Sequence, residues 1–396
     1  MALAGRDILI IGAGIAGLAA ALALARRGAR VEVLEQAEAL REVGAGLQIG
    51  PNGLAVLEAL GLGPACAARA SLPQAVELRD RRGALVARVP MGSVVAGRHG
   101  RPYWHLHRAD LLGVLEEAAR AAGVTITLGA RVARVAIEDG RARLWTEAGE
   151  SRAADLVVAA DGARSRVRMD WFGGGVPRYA GCVAWRALVP AGRLSRPHPT
   201  VARVVMGPGR HVVSYPLRGG ALVNLVAIEE RARSEDERWM APGDPAELRA
   251  AFAGWTPEVT ELLAQVDQVF LWGLYDHEPL PDWARGPVAL LGDACHPMPP
   301  FLAQGAGMGL EDAWVLAEAL DTAPDLPAGL AAYVARRRAR AERTQRAAVA
   351  NGRIYHLAPP ASAIAHLGMR AMSRLAPGRM LARFDWLYGE DVTAAR

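Results

Sequence analysis

Asp7-Ile-Leu-Ile-Ile11-Gly12-Ala-Gly14-Ile-Ala16-Gly17 decides how this chain begins. A short apolar run such as 7–11 suits a central parallel strand covered on both faces. The three glycines then solve three separate problems: a tight turn, close approach of backbone to a pyrophosphate, and close packing of helix on strand. The Ala-rich stretch 15–27 has strong helix propensity and stops at Gly28, a natural C-cap. Its first turn offers free N–H groups and a positive dipole end to phosphate. Arg30-Val-Glu-Val-Leu-Glu35 reads as the second strand, ending on a carboxylate placed to accept hydrogen bonds from ribose hydroxyls. The βαβ unit for a dinucleotide is therefore complete. A glycine turn without a ligand competes with this reading, and the acidic strand end weighs against it.

Length and composition bound the rest. A chain of 396 residues, 52% of them hydrophobic, exceeds the size at which one core stops growing, so two domains are expected. The formal charge of +5 invites a nucleic-acid reading, but the arginines are dispersed. The one dense run, Ala335-Arg-Arg-Arg-Ala-Arg-Ala-Glu-Arg343, reads as a solvated helix face, and no nucleic-acid partner is expected. Anionic substrates and cofactors also favour a positive protein. Cys66, Cys182 and Cys295 are odd in number and far apart, which suggests reduced thiols in a cytoplasmic protein and neither a disulfide frame nor a metal site. The apolar stretch 8–24 has its glycines at dinucleotide spacing and no basic flank or cleavage site before it, so no membrane segment is expected.

Four further stretches carry a family pattern. They are Arg41-Glu-Val-Gly44-Ala-Gly46-Leu47-Gln48-Ile-Gly50-Pro51-Asn52; Tyr103-Trp-His-Leu-His107-Arg108-Ala-Asp110-Leu-Leu112; Ala154-Asp-Leu-Val-Val-Ala-Ala-Asp161-Gly162-Ala-Arg-Ser165-Arg-Val-Arg168; and Leu290-Leu-Gly292-Asp293-Ala-Cys-His296-Pro297-Met-Pro299-Pro300-Phe301-Leu-Ala-Gln304-Gly305-Ala306-Gly307-Met-Gly-Leu-Glu311-Asp312. Together with the opening unit they resemble the single-component FAD-dependent aromatic hydroxylases, the group that includes salicylate hydroxylase and 6-hydroxynicotinate 3-monooxygenase.

That resemblance implies FAD held by Gly12, Gly14, Ala16, Gly17, Glu35 and Gln36 at the adenosine and pyrophosphate end. Arg41 and Gln48 belong to a glycine loop that passes along the flavin ring and leaves it room to swing. Arg108 is implied to reach the FAD, the main chain at Val132 to touch adenine, and Asp161 to belong to a second fingerprint shared with the nicotinamide coenzyme. A ligand-free glycine hairpin, a surface role for Arg108, and an Asp161–Arg168 ion pair stand as the plain alternatives. Asp110 is a plausible N-cap for a helix over 110–121. The fourth stretch is the most specific. It implies a buried strand delivering Asp293 to the ribityl and phosphate region, and a glycine turn, Gly305, Ala306 and Gly307, opening a long helix. The N-terminus of that helix would face the flavin edge where negative charge collects on reduction.

The fold implied is α/β: a Rossmann-like FAD-binding domain with an inserted antiparallel-sheet substrate domain and a helical C-terminal segment. The discontinuous FAD domain takes 1–180 and 273–325, the substrate domain 181–272, and the C-terminal segment 326–396. Runs 200–206, 211–216 and 221–228 alternate with Gly and Pro turns, as antiparallel strands do, and a helix is expected over 245–265 after an acidic and basic loop near 229–237. From 358 the tail is expected to be short and irregular, without chemistry.

The chemistry implied by the resemblance is hydroxylation of a phenolic or hydroxyheteroaromatic acid by O2 through a flavin hydroperoxide at ring carbon 4a, with NADH or NADPH as a transient co-substrate. Nothing in the chain resembles a second complete nucleotide-binding fold. A phenol is a poor nucleophile until it loses its proton, so the site needs a base. His211 and Tyr215, at i and i+4 on a strand, share a face and sit where related hydroxylases contact substrate. Either could equally be a satisfied structural residue. Pro300 is implied to present its carbonyl beside the reacting carbon, with Phe301 and Leu47 on the substrate and Arg186 pairing a carboxylate. Phe301 departs from the His found in some hydroxynicotinate enzymes. A larger polyketide-like or alkaloid substrate, a non-catalytic FAD-binding protein, and a basic interaction protein are the alternatives, and the chain could be a monomer or a homodimer.

Overall fold

A computed structural model describes residues 3–40, 45–232 and 241–394. Its first layer is a six-stranded sheet in the order Ala284–Arg285, Val288–Leu290, Leu156–Ala159, Asp7–Ile11, Arg30–Leu34, Thr125–Thr127. All pairings are parallel except the edge hairpin between Ala284–Arg285 and Val288–Leu290. Ile8, Ile10, Val157, Val158, Ala289 and Leu290 are buried in one core, which is what continuous apolar strands between helical layers require. Helix Ile15–Ala25 follows the first strand, and Gly28, at φ +91°, returns the chain to the second. Strand Asp7–Ile11 lies between Arg30–Leu34 and Leu156–Ala159, so the chain departs in opposite directions from its two sides; ligands bind at such a switch point, beyond the carboxyl ends of the strands.

The second layer is an eight-stranded sheet in the order Ala241–Gly243, Val269–Asp276, Arg178–Pro190, Leu222–Glu230, Arg210–Leu217, Val201–Gly207, Ala75–Asp80, Leu85–Pro90. Its central strands are antiparallel, as their alternation indicates. The sheet also recruits two strands from 75–90, the first pairing parallel with Val201–Gly207, so it extends beyond 181–272. Period-two alternation separates its faces. Trp185, Ala187, Val212, Leu225 and Ala227 pack under helices Pro245–Ala251 and Pro257–Ala264. Ala184, Arg186, His211, Val213, Tyr215, Val226 and Ile228 face the other way. The single helix expected over 245–265 is two, because Gly254 adopts φ +75° and Pro257 starts a new first turn. Of the loop near 229–237, residues 233–237 lie outside the described residues.

The C-terminal part differs most from expectation. Helix Leu326–Tyr355 runs 30 residues, with Asp325 accepting from the Ala328 N–H at 2.8 Å. The tail is not irregular: Ala361–Leu375, Pro377–Ala382 and Asp385–Tyr388 are helical. Its prolines sit at helix starts, where they cost nothing, and Met380, Leu381, Leu387 and Tyr388 are buried with Tyr103 and Val95. The basic run is not wholly a solvated face either. Arg337 turns inward to pair with Glu311 and, at 2.7 Å, with Asp312, while Arg340 meets Glu311 at 2.7 Å. Two buried carboxylates on the helix Gly305–Thr322 demand buried cations, and a helix packed against them supplies both.

Candidate active site

Both ends of the chain meet at Ala16. A Cβ on Gly292 or on Gly309 would lie 2.9 or 3.0 Å from the Ala16 Cβ, so the methyl group of the opening helix fits against glycines of the Gly292 turn and of the Gly305–Thr322 helix. The glycines of the opening turn separate into two kinds. A Cβ on Gly12 would come within 2.5 Å of the Ala160 carbonyl oxygen, and one on Gly17 within 2.0 Å of the Gly12 oxygen, so these positions close backbone on backbone. Gly14 is extended, and a Cβ there would meet nothing within 4 Å. It opens onto a groove.

That groove holds about 720 Å³ and is lined by Gly12, Gly14, Glu35, Gln36, Arg108, Val132, Asp161, Arg186 and Asp293, among others. Glu35 closes the strand end, its carboxylate accepting from the Ala13 N–H at 2.8 Å and the Ala37 N–H at 2.9 Å. Asp161 accepts from the Arg166 N–H at 3.0 Å with one oxygen, while the other is buried without a partner; burial raises its carboxyl above the ordinary range. Arg168 makes no ion pair with it. Instead its guanidinium donates to the carbonyls of Ala294, Cys295 and Glu278 at 3.1, 2.6 and 2.7 Å, bracing the fourth stretch from below. Asp110 is not the N-cap of its helix: the helix is Arg108–Ala121, His107 Nδ1 accepts from the Ala109 N–H, and Asp110 pairs with Arg218. The cap falls earlier because strand Trp104–His107 runs directly into the helix. Arg41 lies outside the described residues.

A second cavity of about 280 Å³ adjoins the groove between the two sheets. Its floor and walls include Gly14, Ala16, Leu47, Gln48, Arg108, Asp293, Pro299, Pro300, Gln304, Gly305 and Ala306, and its roof is the sheet face bearing Arg186, His211, Val213, Tyr215, Val226 and Ile228. Asp293 is exposed to this space, and the protein around it raises its carboxyl above the ordinary range. The Gly305–Thr322 helix starts here with no acidic residue in its first turn and no side-chain cap. Gln304 accepts from Asn52 at 3.1 Å, and its own amide nitrogen is buried without a partner. Gly46 lets the Gly46–Ile49 strand approach the sheet: its N–H donates to Asn224 at 2.6 Å, and a Cβ would strike Tyr215 at 2.7 Å. Gln48 accepts from Tyr103 at 2.7 Å.

Register explains the roof. Val213 pairs with Val226, and Val226 with Arg186, in one row across three strands; His211 and Tyr215 flank that row on the outer strand. Burial pushes the Tyr215 phenol up, with Arg186 and Gln48 acting the other way. Burial, with His356 beside it, holds the His211 imidazole well below its usual value, so the ring is neutral at physiological pH. Arg186 lies over the Trp272 ring at 5.4 Å. Two residues fall away from the cavity. Phe301 stacks edge-on behind His211 at 5.5 Å and fills the space over Gly352, while Gly307 packs toward Asn52 and Gly53. His356 escapes the sequence reading because no local pattern marks it, and the partners of Arg168 and Gln304, though both lie in the quoted stretches, come only from the packing of distant segments.

The geometry fits a flavin dinucleotide in its own terms: an open turn at Gly14, an uncapped helix N-terminus, and unpaired buried groups on Asp161 and Gln304 facing one continuous space. The fold and site define an FAD-dependent monooxygenase of the aromatic-hydroxylase type. The chain belongs to the FAD binding domain family, whose model matches residues 6–348. It is 38% identical over 387 residues to 3-amino-4-hydroxybenzoate 2-monooxygenase PtmB3 of Streptomyces platensis, covering 96% of this chain and 95% of that protein. It is 35% identical to 3-hydroxybenzoate 6-hydroxylase of Polaromonas naphthalenivorans (strain CJ2), covering 97% and 96%. Among solved structures, Klebsiella pneumoniae HpxO complexed with FAD and uric acid superposes with a TM-score of 0.83 at 28% identity, covering 96% of this chain and 95% of that one. A salicylate hydroxylase substrate complex gives 0.81 at 27%, covering 98% and 96%. Among the described residues, no helix is long and apolar enough to cross a membrane.

Proposed function

We propose that this enzyme uses NADH or NADPH and O2 to hydroxylate a small phenolic or hydroxyheteroaromatic acid in the cavity between the sheets. The observation that carries the reading is the roof: one cation, one neutral imidazole and one phenol, Arg186, His211 and Tyr215, on the same apolar sheet face opposite the Pro299–Pro300 wall. Arg186 suits a carboxylate, His211 a hydroxyl proton, and Tyr215 the oxygen left behind. The cavity of about 280 Å³ is lined in part by residues that would hold the flavin, so the space left for substrate is smaller still and favours a single-ring acid over a polyketide-like substrate. Relatives named for hydroxybenzoates support the same class.

FAD, when bound, would accept hydride from the coenzyme and pass an oxygen atom from O2 to the ring. Gly12, Gly14 and Ala16 would carry the pyrophosphate on the turn that Gly17 closes, Glu35, Gln36 and Val132 the adenosine, and Arg108, Asp161 and Asp293 the linkage. Gly305 and Ala306 would place helix N–H groups, with Gln48 and Gln304 nearby, against the ring edge that becomes negative. His211 takes the substrate hydroxyl proton, Tyr215 donates to the resulting oxyanion, and Pro300, without an N–H and with fixed φ, holds a rigid wall. The apolar residues Val213, Val226 and Ile228 keep water from the reacting carbon.

Three free, buried cysteines favour a cytoplasmic setting. The test is a coenzyme-oxidation screen of the FAD-loaded enzyme against phenolic acids, with chromatographic identification of products. Coenzyme consumed with no hydroxylated product for any of them would refute the assignment.

A further inference from the structure

His211 is the inner end of a chain of groups that leaves the cavity. Its Nδ1 lies 2.7 Å from His356 Nε2, and His356 Nδ1 lies 2.7 Å from Glu230 Oε1. Burial falls along the line: His211 is 2% exposed, the His356 side chain 6%, and the Glu230 side chain 56%. The three come from separate segments. His211 and Glu230 lie on adjacent strands, Arg210–Leu217 and Leu222–Glu230, and His356 follows the last residue of the helix Leu326–Tyr355.

The surroundings hold the row in place. The Gly209 N–H donates to the His356 carbonyl at 3.1 Å, and the Glu230 N–H donates to the Gly209 carbonyl at 2.9 Å, so one turn fixes both outer members. Phe301 and Tyr355 stand against the His211 ring at 5.5 and 5.2 Å and bar water from its sides. Among the described residues, the titratable groups beside this row are the Tyr355 phenol, itself facing Arg383, and the Cys182 thiol beside Glu230, both pushed up by burial and neutral. Burial holds the His356 imidazole below its ordinary value, while the Glu230 carboxylate and the helix C-terminus act the other way and favour a positive charge passing through it.

We propose that His356 and Glu230 form a proton exit that lets His211 ionise a bound phenol and return to its neutral form without opening the cavity to water. The inference rests on the functional reading above. The protons balance. The substrate O–H proton moves to His211 Nε2, the proton on His211 Nδ1 moves to His356 Nε2, and the proton on His356 Nδ1 moves to Glu230 and on to water. Each imidazole ends neutral with its proton on the opposite nitrogen, and reverses after product release. His356 and Glu230 are positioning and relay groups; neither lines the cavity.

The test uses the oxidised FAD-loaded enzyme and 4-hydroxy-3-nitrobenzoate, a phenolic acid whose phenolate absorbs in the visible, so ionisation is read without turnover. Stopped-flow mixing of wild type should show binding followed by fast ionisation, with proton release to an indicator dye. His356→Gln keeps the size and polarity but cannot pass a proton between two nitrogens, and should slow ionisation by at least tenfold, leaving the equilibrium affinity for the probe within twofold. Glu230→Gln, at a half-exposed position, should slow proton release and flatten its pH dependence, while Glu230→Asp restores it. Added imidazole should recover the rate in His356→Ala. A wild type that ionises the probe, with both Gln variants matching its rate and pH profile, overturns the relay alone. A wild type that does not bind or ionise the probe overturns the functional reading and the relay with it.

Discussion

Gly14 and Gly17 stand one turn apart in the opening helix and should fail in opposite ways when each is replaced by Ala. At Gly17 the new Cβ would sit 2.0 Å from the Gly12 oxygen, and reaching ordinary van der Waals separation needs a shift of roughly 1.4 Å of backbone against backbone. Overpacking of that kind costs about 1–3 kcal/mol, so the apoprotein itself should melt earlier. At Gly14 the backbone is extended, at φ −71° and ψ 179°, which Ala adopts freely, and the new Cβ meets no protein atom within 4 Å. The apoprotein should therefore be as stable as wild type or slightly more so. The methyl group projects into the groove where the pyrophosphate would lie. Breaking one charge-assisted hydrogen bond to a phosphate oxygen costs about 1.5–3 kcal/mol, so FAD affinity should fall roughly tenfold to a hundredfold. Thermal melting of the apoproteins, with FAD titration followed by flavin fluorescence quenching, separates the two effects. An unchanged FAD Kd for Gly14→Ala would refute the placement of the phosphates, and an unchanged apoprotein Tm for Gly17→Ala would refute the close-packing role.

Three further outcomes follow from the site. Arg186→Met should raise KM for a hydroxybenzoate by about tenfold to a hundredfold and leave the corresponding phenol without a carboxylate nearly unaffected; equal effects on both would remove the carboxylate assignment. His211→Ala and Tyr215→Phe should slow product formation far more than they weaken FAD binding, and normal rates and yields in both variants would exclude them from the chemistry. Burial alone would raise the Asp312 carboxyl, but His296 and Arg337 beside it bring it down to about 2. Because it is held below its unfolded value, its stabilisation is complete above roughly pH 4 and is lost as pH falls toward 2; Arg337→Met should cost about 3–5 kcal/mol at neutral pH in urea unfolding, and a loss under 1 kcal/mol would contradict the buried pairing.

The elements legible in the sequence are those whose signal is local. Strand, glycine turn, helix and acidic strand end at 7–35 lie within one supersecondary unit, and alternation at 211–216 places His211 and Tyr215 on one face without any knowledge of the fold. Signals that depend on what packs above them are not legible. Arg337 and Arg340 look like solvent residues until Glu311 and Asp312 are brought beneath them. Strands 75–80 and 85–90 join the second sheet through a parallel pairing with a partner more than a hundred residues away, which no turn signal announces. The tail reads as irregular because its prolines resemble breakers, whereas they begin helices whose apolar sides find Tyr103 and Val95. His356 carries no mark at all: its meaning comes from His211 and Glu230, more than a hundred residues earlier.

The most direct test of the whole account is single turnover under 18O2. The FAD-loaded enzyme, reduced by NADH or NADPH and mixed with labelled oxygen and a hydroxybenzoate that stimulates coenzyme oxidation, should yield a product with one additional hydroxyl on the ring, carrying one 18O atom. Recovery of the unaltered acid, with all the labelled oxygen appearing as hydrogen peroxide, would contradict it.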